Sequence, residues 1–232
     1  MKEIRPIDLN AIYESGFDAI LLSREHYQLL LELVQSQNWI DDPDGIFIKV
    51  PSWSSTFKKS QAIEKIDQES EYNDWAMHNA PDNLLQSCRG LLESESIMGI
   101  WMEAYRAQMS FISLWNGAED LDWHWDGPAQ TDFFFLIYLN RKTGWPEDGG
   151  GELIVGVRDV SSGYLKTNLS VVREAQRIRP ASRTLVCVNN QNPRFVHKVL
   201  PLKNADERTV LMIGFNLIPT MSGEKSRQLP EM

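Results

Sequence analysis

A histidine and an aspartate stand two positions apart in the stretch WHWDG, where they are His124 and Asp126. In an extended segment, residues i and i+2 point to the same face, so the imidazole and the carboxylate converge on one point. Such a pair can bind a divalent metal, form a catalytic dyad, or simply hydrogen-bond at the surface. The spacing alone does not choose among these three chemistries.

The chain has four histidines, and their settings differ. His26 lies in a helical pattern and His78 in a polar stretch, so neither is predicted to be a ligand. His197 lies in the apolar, strand-like run RFVHKVL, where a histidine is more often a packed core residue. With His124 and Asp126, however, it would complete two histidines and one carboxylate. This set occupies one face of a metal in non-haem Fe(II) oxygenases and leaves the opposite positions open.

Arg208 begins the apolar run RTVLMIGFN, eleven residues after His197. An arginine at the start of such a strand usually points to solvent. If it points inward, its buried guanidinium needs an anion, and its planar fork matches a carboxylate. A dicarboxylate such as 2-oxoglutarate would meet both needs, with its keto-acid end on the metal and its far carboxylate on Arg208.

The elements that must position these residues change in character along the chain. Residues 23–37 have helical apolar spacing, with Ser23 as the predicted N-cap. We predict one strand near 46–50, a helix that follows Pro81, and further helix near 97–106.

After about residue 107, short runs rich in β-branched and aromatic residues alternate with turn-forming clusters. Their spacing favours a β-sandwich or small barrel over βαβ units. We therefore predict a mainly β protein with N-terminal helices, in which 1–106 packs on a catalytic core formed by 107–232. The polar stretch 158–180 is predicted to be a surface hairpin or a lid.

Composition narrows the class of protein and its partners. The 232 residues are 42% hydrophobic, which is ordinary for a globular protein with a substantial core. The net charge of −9 disfavours a nucleic-acid partner, because phosphate contacts need clustered Lys and Arg. No apolar run approaches bilayer length, no signal peptide is evident, and the two cysteines form no disulfide framework. We expect a cytoplasmic protein with neither a membrane nor a nucleic-acid partner.

The ordered set His124-Trp125-Asp126, His197 and Arg208 resembles the Fe(II)/2-oxoglutarate-dependent dioxygenases, particularly their prolyl-hydroxylase-like branch. Two further stretches are similar to family motifs. LIYLN resembles the family's tyrosine-bearing strand, and GGGEL resembles its Gly-Gly hairpin. The resemblance covers about residues 107–217.

The resemblance implies a double-stranded β-helix, a jelly-roll or cupin-like core, with Fe(II) at one open end. It implies that O₂ and 2-oxoglutarate are consumed as succinate and CO₂ are released. In the family, the matching tyrosine contacts the far carboxylate of 2-oxoglutarate and the matching leucine lines the same pocket. The residues that match are His124, Asp126 and His197 for the metal, and Arg208, Tyr138 and Leu153 for the cosubstrate.

Two positions depart from the family pattern. A tyrosine commonly found ten positions before the first ligand is Leu114 here, and a serine that follows the arginine in some relatives is Val210. Both changes concern contacts to the cosubstrate. Asp126 keeps its carboxylate, whereas related halogenating enzymes have Gly or Ala there, so the resemblance implies hydroxylation and not halogenation.

The predicted reaction is hydroxylation of an unactivated C–H bond in a small molecule such as an amino acid. The alternative substrate is a residue within a protein. Two other classes compete with the oxygenase: a zinc hydrolase, in which two histidines and one carboxylate activate water, and a non-catalytic β-sandwich binding module. Neither of these gives Arg208 an evident role.

Overall fold

The computed structural model describes residues 5, 7–41, 49–52, 102–115, 121–125, 133–140, 145–158, 172–204 and 207–219. Within these residues the chain forms two helices and eleven strands, and the first strand lies between the two helices. The helices are α1 (Leu9–Ser15) and α2 (Arg24–Ser36). The strands are β1 (Phe17–Leu21), β2 (Trp39–Asp41), β3 (Lys49–Pro51), β4 (Met102–Trp115), β5 (Leu121–His124), β6 (Phe133–Tyr138), β7 (Leu153–Arg158), β8 (Val172–Ile178), β9 (Thr184–Asn189), β10 (Phe195–Val199) and β11 (Glu207–Pro219).

The described strands form two antiparallel sheets, and from β4 onward most successive strands belong to different sheets. The major sheet has the order β1-β9-β6-β11-β4-β3-β2, and the minor sheet has the order β5-β10-β7-β8. From β4 onward the chain moves repeatedly from one sheet to the other, and β7 and β8 stay together as a hairpin in the minor sheet. This is the topology of a double-stranded β-helix, which confirms the predicted fold class.

The apolar core has two layers, because the major sheet is covered on both faces. One buried cluster fills the barrel between the sheets, and it includes Phe134, Tyr138, Leu153, Val155, Val199, Val210 and Met212. The other cluster lies on the outer face of the major sheet, where Leu30 and Leu33 of α2 pack with Phe133, Phe135, Ile137 and Leu211. The alternation along β6 decides which side chain enters which layer.

The predicted helix 23–37 is confirmed as α2. Ser23 is its N-cap, and the Ser23 hydroxyl accepts a hydrogen bond from the backbone N–H of His26 at 3.0 Å. The preceding α1 and β1 were not predicted from the sequence. Because β1 pairs with β9 at the edge of the major sheet, the N-terminal region contributes a strand to the barrel wall.

One sequence-based prediction is wrong, and two others fall on residues that the structure does not describe. Helix near 97–106 is wrong for 102–106, because β4 begins at Met102 and pairs with β11 along its whole length. Long-range pairing overrides local helix propensity here. The helix after Pro81, and residues 159–171 of the predicted hairpin or lid, lie outside the described residues. The division into 1–106 and 107–232 stays a prediction.

A buried carboxylate ties the first described residues to β1. Both terminal guanidinium nitrogens of Arg5 donate to Asp18 at 2.6 Å, and the backbone N–H of Asp8 donates to the same carboxylate at 2.8 Å. Burial by itself would raise the pKa of Asp18, but these bonds and the Arg5 charge outweigh it and lower that pKa. The bonds hold the chain before α1 against the edge of the major sheet.

Candidate functional site

The register of the minor sheet brings two of the predicted ligands together. His124 is the last residue of β5, and it is the direct cross-strand partner of His197 on β10. The centroids of the two imidazole rings are 4.3 Å apart, and the ring planes are inclined by 63°. His197 also pairs with Val155 of β7, whose side chain belongs to the barrel interior. Cross-strand partners project to the same face, so both imidazoles face that interior.

This spacing suits two ligands of a single metal ion. Two nitrogens bound at about 2.1 Å and at right angles to each other lie about 3 Å apart, so their ring centroids must be somewhat farther apart. The third predicted ligand, Asp126, lies outside the described residues. Among the described residues no group of three His, Cys, Asp or Glu side chains could hold a metal. His26 lies on α2, and His78 lies outside the described part.

Arg208 points into the barrel and not to solvent. It is only 3% exposed, and it lies on the same face of β11 as Val210 and Met212 of the interior cluster. One terminal nitrogen donates to the Tyr138 hydroxyl at 3.3 Å, and the guanidinium carbon lies 5.1 Å from the centroid of the Tyr138 ring. The strand register supports this contact, because Tyr138 is the cross-strand partner of Val210.

The guanidinium of Arg208 is incompletely satisfied. Its Nε is the buried side-chain nitrogen that has no hydrogen-bond partner among the described residues. A buried cation with an unused donor is costly unless an anion completes it. The planar fork, which has one edge on Tyr138, is suited to a carboxylate that enters the barrel. The residues present therefore fit the far end of a dicarboxylate.

The Gly-rich turn before β7 makes room for this arginine. Gly151 has φ of +70°, and a Cβ atom there would lie 3.0 Å from Cδ of Arg208 and 2.8 Å from Cδ2 of Leu202. Trp145 donates its indole N–H to the carbonyl of Gly150 at 2.9 Å, which fixes the turn. The GGGEL motif thus has a steric reason. Leu153, which follows it, is 1% exposed in the interior cluster that contains Tyr138.

Asn140 is a further site residue that was not predicted from the sequence. Its amide nitrogen donates to the carbonyl of Pro180 at 2.5 Å, and its amide oxygen accepts from the backbone N–H of Thr209 at 2.9 Å. Asn140 is 8% exposed, and Thr209 directly follows Arg208. Asn140 therefore holds the strand position that carries the arginine. The sequence feature that could have identified Asn140 is its position at the end of the LIYLN run, shortly after a strand.

Trp123 faces away from the barrel interior. Its ring lies 2.8 Å from where a Cβ atom of Gly156 would be, on the face of β7 opposite to Val155. The ammonium of Lys198 lies 4.8 Å from the centroid of the Trp123 ring. Trp123 therefore packs across the outer face of the minor sheet. Trp115 lies at the end of β4.

Comparison with known proteins agrees with this geometry. Residues 108–215 match the model of the 2OG-Fe(II) oxygenase superfamily. No curated relative matches the chain at a significant level. The match over residues 108–215 confirms the resemblance predicted from the sequence.

Several solved structures are similar to the chain over most of its length. A prolyl-4-hydroxylase from Pseudomonas putida is 19% identical, with 90% of this chain and 91% of that chain covered and a TM-score of 0.45. A prolyl hydroxylase from Trichoplax adhaerens, in complex with a hypoxia inducible factor peptide fragment, is 17% identical, with 90% and 86% covered and a TM-score of 0.43. The non-heme alpha ketoglutarate dependent epimerase SnoN from nogalamycin biosynthesis is 12% identical, with 89% and 81% covered and a TM-score of 0.45.

The family assignment decides the class of chemistry. The protein is an enzyme, an Fe(II)- and 2-oxoglutarate-dependent dioxygenase that uses O₂. The zinc hydrolase and the non-catalytic binding module are thereby set aside. None of the helices in the described part of the chain is long and apolar enough to cross a membrane.

Proposed function

We propose that His124, Asp126 and His197 bind Fe(II), and that the enzyme hydroxylates an unactivated C–H bond of a small molecule. The observation that supports this most directly is the cross-strand pair of imidazoles, 4.3 Å apart, facing the barrel interior. Asp126 stands two positions after His124 in the sequence, and residues i and i+2 of an extended segment point to the same face. Three ligands on one face leave open positions for the cosubstrate and O₂.

The cosubstrate is proposed to lie between the histidine pair and Arg208. Arg208 and Tyr138 would bind its far carboxylate, and Leu153 would line the apolar wall beside Tyr138. The Nε of Arg208, which has no hydrogen-bond partner among the described residues, supplies the donor that a carboxylate would use. When bound, Fe(II) with 2-oxoglutarate supplies the oxidation of a C–H bond, with succinate and CO₂ as coproducts. The protein orients the reactants and excludes water.

For the substrate we propose a free amino acid or a similar small metabolite. The described elements all belong to the barrel or pack on its major sheet, which suits a substrate taken into the barrel mouth. The alternative is a residue within a protein. We further propose that the enzyme has no nucleic-acid partner, which its net charge of −9 supports. We also propose that it is cytoplasmic and has no membrane partner, because its two cysteines form no disulfide framework and no apolar run approaches bilayer length. Because Asp126 keeps its carboxylate, the proposed product carries one added hydroxyl group.

The first experiment tests the metal site by anaerobic titration with Fe(II) and 2-oxoglutarate. The wild-type protein should show a weak visible charge-transfer band that needs both additions. His197→Ala should lose the band and the bound iron. His26→Ala is the matched control, since His26 is a partly buried histidine on α2, and it should keep both. A His197→Ala variant that binds iron as the wild type does would contradict the assignment.

The second experiment tests the substrate class. Succinate release is measured against free amino acids and against peptides that contain the same residues at internal positions. Turnover with a free amino acid and not with its peptide would support the proposal. The reverse pattern would replace it by the protein-residue alternative. The product should gain one oxygen atom derived largely from O₂, and a chlorinated main product would contradict hydroxylation.

A further inference from the structure

Trp125, which lies between two of the proposed ligands, is bonded to a distant loop. Its indole N–H donates to the carbonyl of Asn190 at 2.9 Å. Asn190 is 1% exposed, and it begins the connection from β9 in the major sheet to β10 in the minor sheet. That connection leads directly to His197, two residues after the start of β10. The end of the strand that carries His124 is thus tied to the loop that leads to His197.

Arg158, the last residue of β7, holds the same loop from the other side. Its Nε donates to the carbonyl of Pro193, and its backbone N–H donates to the carbonyl of Arg194 at 2.9 Å. The guanidinium carbon lies 5.8 Å from the centroid of the Trp125 ring. Arg158 is 6% exposed, and among the described residues no carboxylate forms an ion pair with it. Among the described residues its guanidinium contacts the carbonyl of Pro193 and the Trp125 indole.

The loop itself is internally ordered. The Asn189 side chain accepts from the backbone N–H of Gln191 at 2.9 Å, and the Asn192 side chain accepts from that of Arg194 at 3.0 Å. The backbone N–H of Phe195 donates to the carbonyl of Asn192 at 3.1 Å. These turns satisfy the loop's own donors locally. The carbonyls of Asn190 and Pro193 are the ones used by the two side chains from the minor sheet.

We propose that Trp125 and Arg158 are positioning residues for the metal centre. Together they fix the ends of β5, β7 and β10 against one loop, and so set the separation of His124 and His197. The inference rests on the proposed function, because it takes these histidines as ligands. Neither residue contacts the metal in this proposal. Trp125 acts through His124, which precedes it in the chain, and Arg158 acts through the loop that leads to His197, as partners outside the ligand set commonly do.

The variants Trp125→Phe and Arg158→Lys test the pair. Phenylalanine keeps an aromatic ring but loses the N–H, and lysine keeps the charge but loses the planar fork and the Nε donor. Trp39→Phe is the matched control, because the Trp39 indole donates a comparable bond, at 2.7 Å, to the carbonyl of Val34 far from the metal site. Co(II) binding is followed by visible absorbance, which reports both affinity and ligand geometry, and thermal unfolding is measured alongside.

Each test variant should weaken Co(II) binding by about 10-fold and change the visible band shape, as loss of a partner outside the ligand set typically does. The double variant should lose little more than either single variant, because the two residues act on one loop. Trp39→Phe should lower the melting temperature without changing Co(II) binding. If both Trp125→Phe and Arg158→Lys keep the wild-type affinity for Co(II) and the wild-type band shape, the positioning role of these two residues is refuted. The proposed metal ligands would not be affected by that result. A wild-type protein that binds no Co(II) would overturn the proposed function itself.

Discussion

The substitution Arg208→Met separates the role of this arginine in cosubstrate binding from its effect on folding. Arg208 is 3% exposed, makes one hydrogen bond to Tyr138 at 3.3 Å, and leaves its Nε without a partner among the described residues. Removing a buried donor of a charged group that has no partner among the described residues gains about 3 kcal/mol, and leaving the buried Tyr138 hydroxyl without its hydrogen bond costs about 2 kcal/mol. Methionine keeps a similar apolar stem. The net expectation is a gain of about 1 kcal/mol in the free energy of unfolding.

The assay is thermal unfolding without 2-oxoglutarate, in a buffer free of carboxylates. A gain of about 1 kcal/mol corresponds to a rise of about 3 °C in melting temperature for a chain of this size. In the same variant, loss of two charge-assisted hydrogen bonds should cost about 3 kcal/mol of 2-oxoglutarate binding, or about 150-fold in Kd. The variant should therefore be more stable than the wild type and bind its cosubstrate much more weakly.

Arg183→Met is the matched control. Arg183 is partly buried, and its Nε donates to the carbonyl of Leu22 at 2.9 Å while a terminal nitrogen donates to the same oxygen. Replacing this satisfied arginine should lower the melting temperature and leave 2-oxoglutarate binding unchanged. The reasoning is refuted if Arg208→Met lowers the melting temperature as Arg183→Met does. An unchanged Kd for 2-oxoglutarate in Arg208→Met would refute the carboxylate role.

Two further predictions concern residues that support the site and the fold. Asn140→Ala removes buried hydrogen bonds to Pro180 and Thr209, so it should cost about 2–4 kcal/mol in denaturant unfolding and also raise the KM for 2-oxoglutarate. An unchanged KM at saturating iron would contradict a positioning role. Because the bonds from Arg5 lower the pKa of Asp18, its stabilising effect should be complete above about pH 4 and be lost as the pH falls further. Asp18→Asn should therefore lower the free energy of unfolding at pH 7 and make it less dependent on pH below about pH 4. An unchanged pH dependence in this variant would contradict the role of the Asp18 carboxylate.

Much of the local architecture follows from the sequence. The helix at α2 was predicted with its cap, because apolar spacing and an N-cap serine are local signals. The strands β6, β7, β9, β10 and β11 were predicted from runs of β-branched and aromatic residues. The order and spacing of His124, His197 and Arg208 predicted the family, since a motif is read along the chain without knowledge of its packing.

Other features depend on residues far apart in the chain. Residues 102–106 form strand and not helix because they pair with the end of β11. Trp123 lies outside the barrel and Arg208 inside it, a difference that comes from sheet register and not from the identity of either residue. The hydrogen bonds of Asn140 and the tie between Trp125 and Asn190 join separate strands to separate loops. The residue types that could form the site, and the elements that carry them, can be predicted from the sequence alone. Which side chains face the interior and which of them meet depends on the fold, because cross-strand register and burial are set by long-range packing.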